Sequence, residues 1–180
     1  MVKMLPLKKM KHLQHLRNKI VILSQLKEAL TSVSNQNKKI VFTNGCFDIL
    51  HKGHVEYLSL AADMGDLLVV GLNSDASVKR QGKGNDRPVN NSDARSTVLA
   101  ALGFVNFIVE FDDDTPEKLI EEIQPDVLVK GGDYDPNETD KNSKKYIVGR
   151  DVVLEKKGKV EVIDLVQGYS TTSIINKLKS

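Results

Sequence analysis

Residues 42–58 read FTNGCFDILHKGHVEYL. Phe42 and Thr43 close a β-rich apolar run that begins at Ile40, and Asn44-Gly45 is a turn pair. Val55–Met64 then has helical spacing, with Leu58 and Ala61 or Ala62 facing inward and Gly65 just past the end. The stretch therefore reads as strand, loop and helix, with His51 and His54 on either side of Gly53 at the helix start. Histidines three apart at that point aim to one side. Gly45 and Gly53 allow backbone N–H groups to approach a ligand closely. The helix N-terminus adds dipoles that favour an anion. Glycine, unpaired N–H groups and two potential cations together describe a polyphosphate site. Phosphoryl transfer asks a protein for positioning and charge neutralisation more than for covalent help.

Other readings of the pair stay open at this point. An H-x-x-H pair can bind zinc, but the chain has one cysteine and no obvious third ligand. Two surface histidines of no consequence are the plain alternative. Neither a Walker lysine motif nor a G-x-G-x-x-G after a strand is present, which weakens the P-loop and dinucleotide readings.

Outward from this stretch, apolar strands alternate with amphipathic helices. Leu67–Leu72 is nearly continuous in apolar residues, as expected of a strand covered on both faces. Ser92 caps a helix carrying Val98, Leu99 and Leu102 and stopped by Gly103. Val105–Val109 reads as a third strand, and Thr115-Pro116 opens a helix with Leu119, Ile120 and Ile123. Val127–Val129 is a fourth strand closed by Gly131-Gly132, residues 144–156 read as helix, and Val160–Ile163 is a fifth strand. A last helix begins near Ser170 and should bury Ile174, Ile175 and Leu178. The fold class expected is α/β, Rossmann-like and doubly wound, a mainly parallel five-stranded sheet with helices on both faces. Ligands of such sheets sit beyond the carboxyl ends of the strands, near the switch point.

At 180 residues the chain fits one such domain, and its single cysteine, Cys46, excludes an internal disulfide framework. Cys46 reads as a small buried residue without an activating base. No apolar run approaches the roughly 20 residues of a membrane span, and Ile20–Leu23 is too short for a signal-peptide core. The expectation is a cytoplasmic protein without a membrane partner. The net charge of +2 conceals an asymmetry: residues 1–39 hold nine Lys or Arg against Glu28 alone. Residues 1–38 are expected to form a basic arm and a peripheral helix with Leu23, Leu26 and Leu30 on its buried stripe, beside the domain at 39–180, and deletion of residues 1–30 is expected to leave turnover nearly unchanged. Such an arm could touch nucleic acid or an anionic surface, or be merely solvated; the net-acidic remainder argues against a nucleic-acid-binding protein.

The stretch TNGCFDILHKGHVEYL resembles the H-x-G-H signature of the cytidylyltransferase-like nucleotidyltransferase superfamily. With GDLLVVGLNSDASVKRQGKGNDRPVNNSDAR, PDVLVKGGDY and GYSTTSII, residues 38–180 are similar to the heptose 1-phosphate adenylyltransferase family. That family occurs alone or as one half of a bifunctional ADP-heptose synthesis protein, and a stand-alone form is expected here. The resemblance implies transfer of AMP from ATP, with Mg2+ bridging the triphosphate and no metal site built by the protein. CTP or GTP as donor, and glycerol 3-phosphate as acceptor with CTP, remain alternatives, as does a binding module without catalysis. A homodimer is implied by family habit alone.

Residue by residue, the resemblance implies catalytic roles for His51, His54 and Lys79, the last matching a phosphate-binding lysine. Thr43, Asn44, Gly45, Phe47, Gly53 and Arg95 fall on nucleotide-binding positions, Arg95 being directed at the phosphates. Ser170, Thr171 and Thr172 fall on the triphosphate segment, although a Ser/Thr cluster at a helix start is by itself a simple N-cap. Lys130, Gly131, Asp133 and Arg87 belong to the loops that meet the base or the acceptor. Asp48 is expected to accept backbone hydrogen bonds and shape its loop, with a place near the magnesium ion as the alternative.

Overall fold

In the parallel sheet the chain runs out from one central strand, returns to its other side, and leaves a crevice where it turns back. The computed structural model describes residues 10–34, 36–82 and 87–179. The strands are β1 (Ile20–Val21), β2 (Ile40–Gly45), β3 (Leu67–Asn73), β4 (Phe107–Phe111), β5 (Val127–Gly131) and β6 (Lys159–Ile163). They lie in the order β1-β4-β3-β2-β5-β6, every neighbouring pair parallel. The helices are α1 (Lys11–Arg17), α2 (Leu23–Ser34), α3 (Lys52–Ala62), α4 (Asp75–Arg80), α5 (Ser92–Ala100), α6 (Glu117–Ile123), α7 (Arg150–Glu155) and α8 (Thr171–Lys179).

Alternation along the central strands divides the core in two. Val41, Leu68, Val70 and Leu72 face one layer with Leu58 and Ala61 of α3 and Leu99 and Ala100 of α5. Phe42, Val69 and Leu128 face the other with Leu26 and Leu30 of α2, Ile120 of α6 and Val153 of α7. Helices thus cover both faces, as a doubly wound sheet requires.

Six strands are present among the described residues where five were expected. The additional strand, β1, has two residues, too few for any alternation to show. It pairs Ile20 with Ile108 and Val21 with Val109, and the Ile108 N–H donates to the Lys19 carbonyl at 2.8 Å. Lys19 Nζ also caps the end of α5, donating to the Ala100 and Leu102 carbonyls at 3.0 Å each. The segment before residue 39 is therefore part of the domain over its described residues: β1 extends the sheet, and Leu26 is fully buried. Residues 1–9 lie outside the described residues.

Three further differences have local causes. The strand expected at 105–109 lies at 107–111, because Leu102 to Val105 form a turn that leads into it. The helix expected over 144–156 starts only at Arg150. Gly149 is left-handed there (φ 86°), with Ile120 so close that a Cβ would meet it at 2.4 Å. Asp75–Arg80, for which no element was expected, is a helix: Ser74 caps it by accepting from the Ser77 N–H at 3.0 Å, and Lys79 and Arg80 end it. In α8, Ile174 and Ile175 are half-buried, but Leu178 is 79 % exposed instead of packed inward.

The N-terminal segment gives a direct test. Leu26→Ala should cost about 2–5 kcal/mol of unfolding free energy in urea denaturation, the range for emptying a well-packed core position. Removal of residues 1–34 should lower the midpoint further. Unchanged midpoints in both variants would mean that this segment is the dispensable leader its composition resembles.

Candidate active site

The crevice opens at the carboxyl ends of β2 and β5, where the strand order turns back. It is a cleft of about 710 Å3, within the range of small-molecule sites. Asn44, Gly45, Phe47, Asp48, His51, Gly53, His54, Arg87, Lys130, Gly131, Ser170 and Thr171 line it, all drawn from the expected set. These residues are distant in sequence and meet only because β2, β5 and the start of α8 end on one side of the sheet.

His51 is the N-cap of α3, its Nδ1 accepting from the His54 N–H at a long 3.4 Å. The two imidazoles stack with centroids 3.8 Å apart and planes 19° apart, and Phe47 meets His54 edge-on at 5.2 Å. Gly53 is needed beneath them: a Cβ there would sit 3.2 Å from the His51 ring and 3.3 Å from Tyr169 Cβ. Burial, with the stacked His51 adding to it, pushes the His54 pKa down to about 4, and burial lowers His51 as well. His54 Nδ1 makes no hydrogen bond of good geometry, the Ile49 carbonyl being the nearby group that favours its proton. The two rings are thus neutral N–H donors at pH 7 before a ligand arrives, and not the paired cations their sequence allows. A phosphate brought against them shifts that balance toward the protonated form.

Asp48 is almost fully buried and saturated. It accepts from Arg87 Nε at 2.5 Å and from the Val89 and Asn90 N–H groups at 2.9 Å. Desolvation would raise its pKa, but the two N–H groups and Arg87 outweigh it and hold the carboxyl below the usual range. Asp48 thus fixes the 87–90 segment over the cleft. Across the cleft, Ser170 Oγ accepts from the Ser173 N–H at 3.0 Å, capping α8, and Lys52 Nζ stands 5.5 Å from the Tyr169 ring. The N-termini of α3 and α8 thereby converge on one volume, each adding positive partial charge.

Five expected residues stand elsewhere. Arg95 is buried and spent on structure: it donates to the carbonyls of Cys46 (2.6 Å), Asn73 (2.8 Å) and Asn90 (3.1 Å) and pairs with Asp75 at 2.7 Å. Thr43 is fully buried, its hydroxyl 2.6 Å from Tyr57 Oη, which donates to the Val129 carbonyl at 3.1 Å. Lys79 is exposed on α4, away from the cleft lining. Asp133 is exposed and lines a neighbouring hollow, and Thr172 is exposed at the outer side of α8. Tyr57, Tyr134, Leu165 and Tyr169 line the cleft and were not anticipated. Tyr57 had a readable signal, since it lies three residues beyond His54 on one helix face; Tyr134 and Leu165 had none.

Among the described residues no group of three or more His, Cys, Asp or Glu could hold a metal ion. The cleft carboxylates Asp48 and Asp114 are paired with Arg87 and Arg80. No helix among the described residues is long and apolar enough to cross a membrane.

With this fold and cleft go sequence matches that support a nucleotidyltransferase. The chain belongs to the cytidylyltransferase-like family, whose profile matches residues 42–177. It is 54 % identical over 162 residues to the bifunctional protein HldE of Campylobacter concisus, covering 90 % of this chain and 31 % of that protein. To the bifunctional protein HldE of Syntrophotalea carbinolica it is 48 % identical over 161 residues, covering 89 % and 31 %. The chain thus spans about a third of the length of these relatives. A solved lipopolysaccharide core biosynthesis protein from Thermoplasma volcanium superposes with a TM-score of 0.55 at 24 % identity, over 74 % of this chain and 99 % of that one, a likeness of fold. Enzymes of this class typically take their nucleoside triphosphate together with a divalent metal ion.

The buried histidine makes ligand-free stability depend on pH. Between about pH 6.5 and pH 4 the unfolded chain binds a proton at position 54 that the folded chain refuses, so stability falls as pH falls. Urea denaturation at pH 7, 5.5 and 4.5 should show a shallower decline for His54→Gln than for the parent. Equal slopes would contradict the neutral, buried state of this ring.

Proposed function

We propose that the chain transfers AMP from ATP to a heptose 1-phosphate and releases pyrophosphate. The product is a nucleotide-activated heptose for lipopolysaccharide core assembly. The observation that carries this reading is the convergence of His51, His54 and the N-termini of α3 and α8 on one cleft at the switch point. The resemblance of its VKGGDY and GYSTTSII segments to the heptose family, and the matches to proteins named bifunctional HldE, support the choice of acceptor.

In this reading a phosphate oxygen of the sugar attacks the α-phosphorus in line. The bond from the α-phosphorus to the bridging oxygen breaks, and its electron pair leaves with pyrophosphate. No general base is required, because the attacking phosphate is already ionised at neutral pH. No enzyme-bound covalent intermediate forms. His51 and His54 donate to the α-phosphoryl oxygens as charge spreads over them, and the backbone N–H groups at the start of α8 hold the triphosphate. Mg2+ accompanies ATP as part of the substrate and neutralises its charge.

A pyrophosphate-release assay crossing ATP, CTP, GTP and UTP with heptose 1-phosphate and glycerol 3-phosphate tests the reading. Heptose 1-phosphate with ATP should give by far the highest kcat/KM; preference for glycerol 3-phosphate with CTP would overturn the substrate assignment. His51→Ala and His54→Ala should each lower kcat by roughly 10²–10³ with a smaller change in KM for ATP. Near-normal kcat in both would defeat the role given to the pair.

A further inference from the structure

Lys130 ends β5 one residue before Gly131, at the switch point, and is only 8 % exposed. Its Nζ donates to Asn44 Oδ1 at the end of β2 and stands 5.8 Å from the Tyr134 ring. Among the described residues no carboxylate lies within 4 Å of that nitrogen, although it lines a cleft containing Asp48 and Asp114. The arginines around it are otherwise occupied, and Lys144 is the other lysine of the cleft lining. Arg87 is paired with Asp48, Arg95 with Asp75, and Arg80 with Asp112 and Asp114.

A buried ammonium held by one neutral amide is costly, and proteins keep such charges where a partner compensates them. Here the fold provides no partner, and the cleft opens where an anionic substrate must lie. We propose that Lys130 is the phosphate-pairing residue of the cleft: its ammonium completes an ion pair with phosphate oxygens of a bound substrate, while Asn44 holds it in line. The inference rests on the nucleotidyl-transfer reading and adds to it the residue that carries the positive charge. The neutral histidines leave that charge unsupplied. Burial, which lowers the Lys130 pKa to about 8, is the expected mark of a cation waiting for its anion.

The test is binding, read separately from turnover. Calorimetric titrations use a non-hydrolysable ATP analogue in one arm and heptose 1-phosphate in the other, at pH 8 in two buffers of different ionisation enthalpy. The parent should take up about half a proton on binding the ligand that Lys130 pairs with, since an anion raises a pKa lying near the pH of measurement. The other titratable or charged groups lining the cleft are Cys46, Asp48, His51, His54, Tyr57, Arg87, Asp114, Tyr134, Lys144, Tyr146 and Tyr169, so the uptake is assigned to Lys130 by its loss in the variant. His54 and Asp48 titrate far below pH 8, and Tyr57 is pushed upward by burial. Lys130→Met should bind that ligand roughly ten- to a hundredfold more weakly, the value of a charge-assisted hydrogen bond, and lose the uptake.

Loss confined to the ATP analogue assigns the pair to the triphosphate, and loss confined to heptose 1-phosphate assigns it to the acceptor. Equal affinities for both ligands in parent and variant would overturn the proposal while leaving nucleotidyl transfer intact. So would absence of proton uptake by the parent in both arms, a result independent of how the variant folds. Failure of the parent to bind either ligand would sink the functional reading itself.

Discussion

The chain leaves β2 and β5 in opposite directions. After β2 it turns to α3 on one face of the sheet, and after β5 it leads to α7 on the other. Two parallel neighbours whose continuations part in this way cannot fill the space beyond their carboxyl ends with backbone. The crevice is a consequence of strand order, and every group in the site is measured from it. His51 sits there because it caps the helix that departs from β2. Lys130 sits there because it ends the strand on the other side.

What fixes the walls is the satisfaction of buried charge. Arg95 ties together the loop after β2, the end of β3, the start of α4 and the 90s segment. Asp48 holds the segment that carries Arg87. Removing one member of such a buried set leaves an uncompensated charge, typically a loss of about 3–5 kcal/mol. These residues therefore hold in place the loops that wall the cleft. The contrast with Lys130 is informative: two arginines and their carboxylates complete each other, and among the described residues no carboxylate completes the lysine of β5.

Much of this was legible in the sequence, and the limits were physical. The parallel sheet could be read from five short apolar runs with intervening helical spacing, because strands covered by helices leave compact apolar signals. β1 could not, since two residues have no period. α4 could not, since DASVKR has too little apolar surface for a stripe, although Ser74 and the terminal Lys79 and Arg80 were correct end signals. In the site, the histidines and glycines were found through local geometry, which a motif encodes. Arg95 was misplaced because sequence spacing does not say which side of a helix faces the ligand. The aromatic lining was missed because Tyr134 and Tyr169 reach the cleft only through the sheet topology.

The central claim, that His51 and His54 are half-buried neutral imidazoles awaiting a phosphate, is open to one direct measurement. The chain has four histidines, and His12 and His15 lie exposed on α1 as internal references. Long-range 1H–15N correlation spectra of the imidazoles, recorded at pH 7 without and with a non-hydrolysable ATP analogue and Mg2+, would resolve them. The account predicts neutral nitrogen shifts for His51 and His54 in the free protein and a large change in both on binding. His12 and His15 should remain fixed. Protonated shifts at positions 51 and 54 in the free protein, or shifts indifferent to saturating analogue, would contradict it.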